Sequence, residues 1–238
     1  MSPSVLCVFG RGIEKVEGVW EPTQAIEQLS EQGGHPGERI PGIECNSDDG
    51  RVVIAGGEYN VRAAVWLHDQ GQPPAVLVFA AGRPNYLLSD PDPTLSEGKI
   101  MLGRFTQQVV LSDSTRVVIQ DQNKNTRDDL VQTLFLARDN KLHNVTIVSV
   151  TVHLPRCREF LQSALAAEPS LACCRVEFVA SEMVLMHYEP KLCATLQELL
   201  ISKAYCRTAE RERKGIEDLR GGRYNFGSQG YGFARTGP

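Results

Sequence analysis

Polar and charged residues follow directly on several short apolar runs, which is where open α/β sheets bind their ligands. Run 5–9 ends in Gly10-Arg11-Gly12, followed by Glu14. Glycines there let a ligand approach the backbone, and Arg11 can pair with an anion. The third glycine of the dinucleotide fingerprint is missing, which argues against a nicotinamide cofactor. Run 75–81 ends in Gly82-Arg83-Pro84 and leads to Ser96-Glu97; Ser96 is an N-cap, serving either a helix alone or also an anion at its main-chain N–H groups. Asn123-Lys124-Asn125-Thr126 precedes Arg127-Asp128-Asp129. There Asn125 or Thr126 caps a helix whose dipole favours the acidic residues after it. Run 145–152 leads into His153-Leu154-Pro155-Arg156. Pro155 in a first helical turn sets His153 at a strand end and Arg156 in the turn itself, pairing a near-neutral proton carrier with a fork for carboxylate or phosphate.

The elements that must position these residues alternate. Apolar, β-branched runs at 5–9, 75–80, 116–120, 145–152 and 175–179 read as buried parallel strands. Helical patterns at 59–70, 96–105, 126–141 and 155–166 lie between them. The expected fold is α/β, a Rossmann-like three-layer sandwich on a mostly parallel sheet of about five strands. Residues 1–188 form this domain, with an insertion at 14–51. The insertion carries an amphipathic stretch at 22–31, glycine-rich and acidic turns, and a closing hairpin at 51–54. Because it leaves from the end of the first strand, Trp20, His35 and Arg39 are either lid residues over a ligand or, for Trp20, an anchor of the insertion. Residues 189–238 are an extension: one helix to about residue 204, a charged, mostly basic stretch, and a glycine- and aromatic-rich tail from 221. That tail is either mobile or docked on its own or a neighbouring subunit, so a homo-oligomer would form through it.

Composition sets bounds on function. The chain has 238 residues, 42% of them hydrophobic, with a formal charge of −4. That charge gives no overall attraction for nucleic acid. No apolar run spans a bilayer or forms a signal sequence, so a soluble, cytoplasmic protein without membrane contact is expected. Seven scattered cysteines read as reduced core thiols, with Cys173 and Cys174 opening a strand and pointing to opposite faces. No spacing of His, Cys or carboxylates signals a metal.

In order, these features resemble the YdcF/SanA/ElyC-like family of bacterial α/β proteins, over residues 5–161. The features are the Gly-bearing first strand end, Arg62 opening a helix, a strand ending in Gly82, then Ser96-Glu97, Asn125-Thr126 and His153-x-x-Arg156. The family's Ser-Glu-Ala, Asn-Thr-x-Glu-Asn and Val-Thr-Ser-x-x-His-x-x-Arg segments match Ser96-Glu97-Gly98, residues 125–129 and residues 148–156. Departures are Ala80-Ala81 before Gly82, Gln120, Asp128-Asp129 and Val150, which change the side chains offered to a ligand. Lacking an anchor, the chain resembles the soluble YdcF-like kind, which implies a nucleotide-like or anionic small molecule, with S-adenosylmethionine as one such ligand. The implied binding groups are Gly10, Arg11, Gly12, Arg62, Gly82, Arg83, Ser96, Asn125, Thr126, Asp128 and Arg156. An enzyme, transferase or hydrolase, would use Glu97 or His153 as general acid/base. The alternative is a non-catalytic interaction protein that grips a partner with the basic segment and aromatic tail.

Overall fold

Apolar runs that are hydrophobic on both sides must be covered on both faces, and the computed structural model shows how this chain does it. It describes residues 4–70, 73–84, 86–87, 90–123 and 125–223. Along the chain, β1 (Ser4–Phe9) is followed by two short antiparallel pairs: β2 (Ile13–Val16) with β3 (Val19–Pro22), and β4 (Ile26–Gln28) with β5 (Val52–Ile54). Then come α1 (Gly57–Gln70), β6 (Val76–Ala80), α2 (Glu97–Thr106), β7 (Arg116–Ile119), α3 (Thr126–Asp139), β8 (Asn144–Ser149), α4 (Leu154–Ala167) and β9 (Arg175–Ala180). After β9 the described residues form α5 (Ser181–Tyr188), α6 (Cys193–Leu200) and α7 (Lys203–Arg220).

The central sheet has the order β7-β6-β1-β8-β9 and all its pairings are parallel. The chain winds outward from β1 in one direction and then returns to wind in the other, so the order reverses between β1 and β8. Strand alternation divides β1 between two cores. Val5, Cys7 and Phe9 pack against Leu130 and Leu134 of α3 and Cys157 and Phe160 of α4. Leu6 and Val8 pack against Val61 of α1 and Met101 and Phe105 of α2. This is the expected three-layer α/β sandwich.

A third cluster ties the insertion to the extension. Val52 and Ile54 of β5 meet Val150, Val152, Leu185, Leu196, Leu199 and Ala204. Hydrogen bonds reinforce it: Ile54 N–H donates to Thr208 Oγ1 at 2.8 Å, and Arg207 Nε donates to the Val52 carbonyl at 3.0 Å. Helix α7 is thus packed on the insertion and the strand ends rather than standing apart.

Several expectations need correction. The single helix from 189 to about 204 is broken, because buried Ser202 accepts from Tyr205 N–H at 3.1 Å and starts α7 as its N-cap. The strand expected over 145–152 ends at Ser149, after which residues 151–153 form a 3-10 turn. The 22–31 stretch supplies β4. Cys173 belongs to a 3-10 turn, not a strand, and is exposed beside buried Cys174. Cys206 is exposed as well, so core burial holds for Cys7, Cys157 and Cys174. The aromatic tail from residue 224 lies outside the described residues. Among those described, no helix is long and apolar enough to cross a membrane.

Candidate functional site

The carboxyl ends of β1, β6 and β7 open onto a cleft of about 640 Å³. Its walls are the turns after these strands and the first turns of α2 and α3. Gly12, at φ +101°, turns the chain so that its N–H meets Glu97 Oε1 at 2.6 Å. Glu97 is the first residue of α2 and buried; burial pushes its carboxyl above the usual range, against the pull of the Gly12 N–H and of His35. Arg83 reaches in from the β6 turn, its guanidinium donating to the main-chain carbonyls of Leu87 and Pro93 rather than to a carboxylate.

On α3, Asn125 caps the helix by accepting from Asp128 N–H at 3.0 Å, which brings Thr126 and, one turn on, Asp129 to the cleft. Asp129 is buried and accepts from Asn123 Nδ2 at 2.9 Å. Burial first, then the charges of Glu97 and Asp128, push it up to about 7 despite the Asn123 bond. A carboxyl that titrates there can take and return a proton at neutral pH.

At the reversal between β1 and β8 the space is filled by charge. Glu212, from the middle of α7, lies 2.8 Å from Arg156 Nε, 3.4 Å from Arg11 NH1 and 3.1 Å from His153 Nδ1. Burial would raise the Glu212 carboxyl, but His153, Arg11 and Arg156 outweigh it and hold the group down to about 2. His153 is 1% exposed. Burial lowers it to about 4 against the attraction of Glu212, so it is unprotonated at neutral pH. Its Nε2 faces Thr126 Oγ1 at 3.4 Å, so Thr126 stands between His153 and the cleft.

The expected residues sort by these positions. Gly10, Arg11, Gly12, Gly82, Arg83, Glu97, Asn125 and Thr126 all line the cleft. Arg156 lines a smaller recess of about 290 Å³ that shares Arg11 and His35 with it. His153 reaches the cleft only through Thr126. Ser96 does not line it; it is a buried N-cap accepting from Lys99 N–H at 3.3 Å. Asp128 serves the cap of α3, accepting from Asn125 Nδ2 at 3.0 Å. Arg62 is the clear correction: it pairs with Glu189, which also accepts from Trp66 Nε1 at 2.9 Å, and so braces α1 against the extension.

The insertion reaches the cleft through His35, which lines it and holds Glu27 at 2.7 Å. Trp20 does so indirectly, stacking at 6.0 Å on cleft-lining Tyr86 while its Nε1 donates to Asp90 at 2.8 Å. Arg39 stays with Glu14 and Glu21 and anchors the insertion. Within the basic segment, Arg213 pairs with Glu210 and Glu217, Arg220 with Glu159 and Lys203 with Asp48.

Asp129, Tyr86 and Glu212 are site residues that the sequence does not single out. In the sequence Asp129 reads as a helix-dipole carboxylate and as a departure from the resembled Asn-Thr-x-Glu-Asn segment. Glu212 had a signal: Ala204, Thr208 and Glu212 are spaced by four, so an acidic residue continues the buried stripe of a charged helix. Among the described residues no group of three or more His, Cys, Asp or Glu is placed to hold a metal ion. No protein-family model, curated protein or solved structure matches the chain.

Asp129 makes a stability prediction with a definite sign. Its folded value, about 7, lies above the ordinary 3.8, so between these limits the folded state binds more protons than the unfolded. Stability contributed by this group is therefore present in acid and lost as pH rises toward 7, by up to about 4 kcal/mol. Asp129→Asn removes that loss. Urea unfolding at pH 5 and pH 8 is expected to show the variant gaining on the wild type at pH 8; an unchanged gap would show that Asp129 titrates normally.

Proposed function

We propose that the chain is a small-molecule-binding protein of the soluble, cytoplasmic YdcF-like kind, holding a nucleoside-like ligand such as S-adenosylmethionine in the cleft. The observation that carries this reading is the pairing of two buried carboxylates, Glu97 and Asp129, with Arg83 in one strand-end cleft. The carboxylates suit ribose hydroxyls or a cationic amine, and Arg83 suits an acidic group on the same ligand. A purely polyanionic ligand fits less well, because Glu97, Asp121 and Asp129 all line the cavity. The outward winding of the sheet from β1 supports the placement, since doubly wound sheets bind ligands beyond the strand ends. In an enzyme, Asp129 and Glu97 are the acid/base groups in contact with the ligand.

Calorimetric titration with S-adenosylmethionine, adenosine and ATP tests this. S-adenosylmethionine is expected to bind more tightly than ATP, and Arg83→Ala to weaken it about 10- to 100-fold through the lost charged hydrogen bond. Arg62→Ala, placed away from the cleft, is expected to leave the affinity unchanged. If neither S-adenosylmethionine nor adenosine binds, the nucleoside reading falls.

A further inference from the structure

The hydroxyl that Thr126 presents at the cleft is backed by two side chains from distant parts of the chain. Thr126 opens α3, His153 sits in the turn after β8, and Glu212 comes from the middle of α7. The links are 3.4 Å from Thr126 Oγ1 to His153 Nε2 and 3.1 Å from His153 Nδ1 to Glu212 Oε2. Two groups face His153 Nδ1, the Glu212 carboxylate at 3.1 Å, which accepts, and Arg156 NH2 at 3.3 Å, which donates, and the shorter contact sets the tautomer. As a carboxylate held between Arg11 and Arg156, Glu212 accepts the Nδ1 hydrogen, which leaves a lone pair on Nε2 facing Thr126. The Thr126 proton then points into the protein, and the oxygen lone pairs face the cleft. A hydroxyl, a base behind it and a carboxylate fixing the base is the constellation of an activated nucleophile, recognised by geometry whatever the order in the chain. Asp129, three residues further along α3, lines the same cleft from the same helix face.

We propose that Thr126 is a nucleophile that takes the acyl group of a carboxylic ester bound in the cleft, with His153 as its base and Glu212 as the positioning residue behind His153. The proposal rests on the cleft being the ligand site, and not on the ligand being nucleoside-like. Thr126 Oγ bonds to the ester carbonyl carbon while its proton passes to His153 Nε2. The carbon–oxygen bond to the alcohol breaks, and the departing oxygen takes the proton of Asp129. Water then attacks the acyl carbon and gives a proton to ionised Asp129, and the Thr126 oxygen leaves and recovers its proton from His153. The sum is ester plus water to acid plus alcohol. An ester is favoured over a phosphate because the carboxyl groups of Glu97 and Asp121 disfavour added negative charge beside protonated Asp129, while the amino end of α3 stabilises the single oxyanion of an acyl step.

The test uses the full chain with p-nitrophenyl acetate and with an alkyl fluorophosphonate, followed by p-nitrophenolate release and by peptide mass. A release burst approaching one equivalent and an adduct on Thr126 are expected. Thr126→Val should abolish both, and Thr126→Ser should keep them. His153→Asn should slow acylation at least about 100-fold. Glu212→Gln should slow the first-order acylation constant at least about 10-fold while the burst still approaches one equivalent, whereas a loss of folding would shrink the burst and leave that constant unchanged. An unmodified Thr126, or labelling as fast in Thr126→Val as in the wild type, overturns the proposal. Should the buried His153 variant fail to fold, the Val and Ser variants at half-buried Thr126 still decide it. Nucleoside binding without acylation sinks this proposal alone; acylation without nucleoside binding sinks the nucleoside reading alone.

Discussion

Glu212→Ala should be the most destabilising single change at the site, lowering stability by about 3–5 kcal/mol at pH 7, because it leaves two guanidinium groups without their shared anion in a buried setting. Arg156 and Arg11 lie 2.8 and 3.4 Å from that carboxylate, and each is itself largely buried. The change also removes the acceptor of the His153 Nδ1 hydrogen. Glu212→Gln keeps most of the volume and an acceptor oxygen, so it should cost less. The sign of the pH dependence follows from the lowered Glu212 value. A carboxyl held at about 2 against an ordinary 4.5 contributes stability that is full above about 4.5 and is lost as pH falls toward 2. The gap between wild type and Glu212→Ala should therefore narrow in acid. Urea unfolding at pH 7 and pH 3 measures it, and a loss below 1 kcal/mol at pH 7, or a gap that does not shrink, would show the cluster to be unimportant to folding.

That cluster also marks where sequence reasoning stopped. The five parallel strands and their flanking helices were legible because both-faced burial writes itself as continuous apolar runs: Val5 to Phe9 and Val76 to Ala80 pair residue by residue in the sheet. The cleft residues were legible for the same reason, since a strand end fixes where Gly10, Gly82 and Thr126 must fall. Short strands such as β4, three residues long, have too few positions to show a period. Arg62 was misplaced because sequence order put it on the first helix without saying which way it faced; its partner Glu189 lies 127 residues away. Glu212 lay hidden for a related reason. Its charge reads as a solvated helix face until the spacing from Ala204 and Thr208 is taken together with the apolar strand ends that α7 covers. His153 was identified by position, but its burial beneath Thr126 is a tertiary fact, and it moves the ligand contact to the hydroxyl.

Gly82→Ala is expected to be nearly as damaging as the loss of Glu212, and for a steric reason. Gly82 follows β6 where the chain turns out over the cleft, and a Cβ built there overlaps the carbonyl oxygen of Asn123 on the loop after β7. That atom is main chain and cannot rotate away. Gly82 is also tied in place, its carbonyl accepting from Glu97 N–H at 3.2 Å at the start of α2. To fit a methyl group, the β6 and β7 turns must separate, which strains the Asn123 hold on Asp129 and the seat of Glu97 together. Overpacking of this kind costs about 3 kcal/mol or somewhat more when backbone must move. Gly103→Ala is the control. It lies inside α2 with no heavy atom near the added Cβ, so it should stabilise by about 0.5–1 kcal/mol through helix propensity and a less flexible unfolded chain. Opposite shifts in the urea midpoint are expected, together with weaker ligand binding in Gly82→Ala alone. A Gly82→Ala chain as stable as the wild type would mean that the β6 and β7 turns are not held in contact, and that the cleft they floor is wider than it stands here.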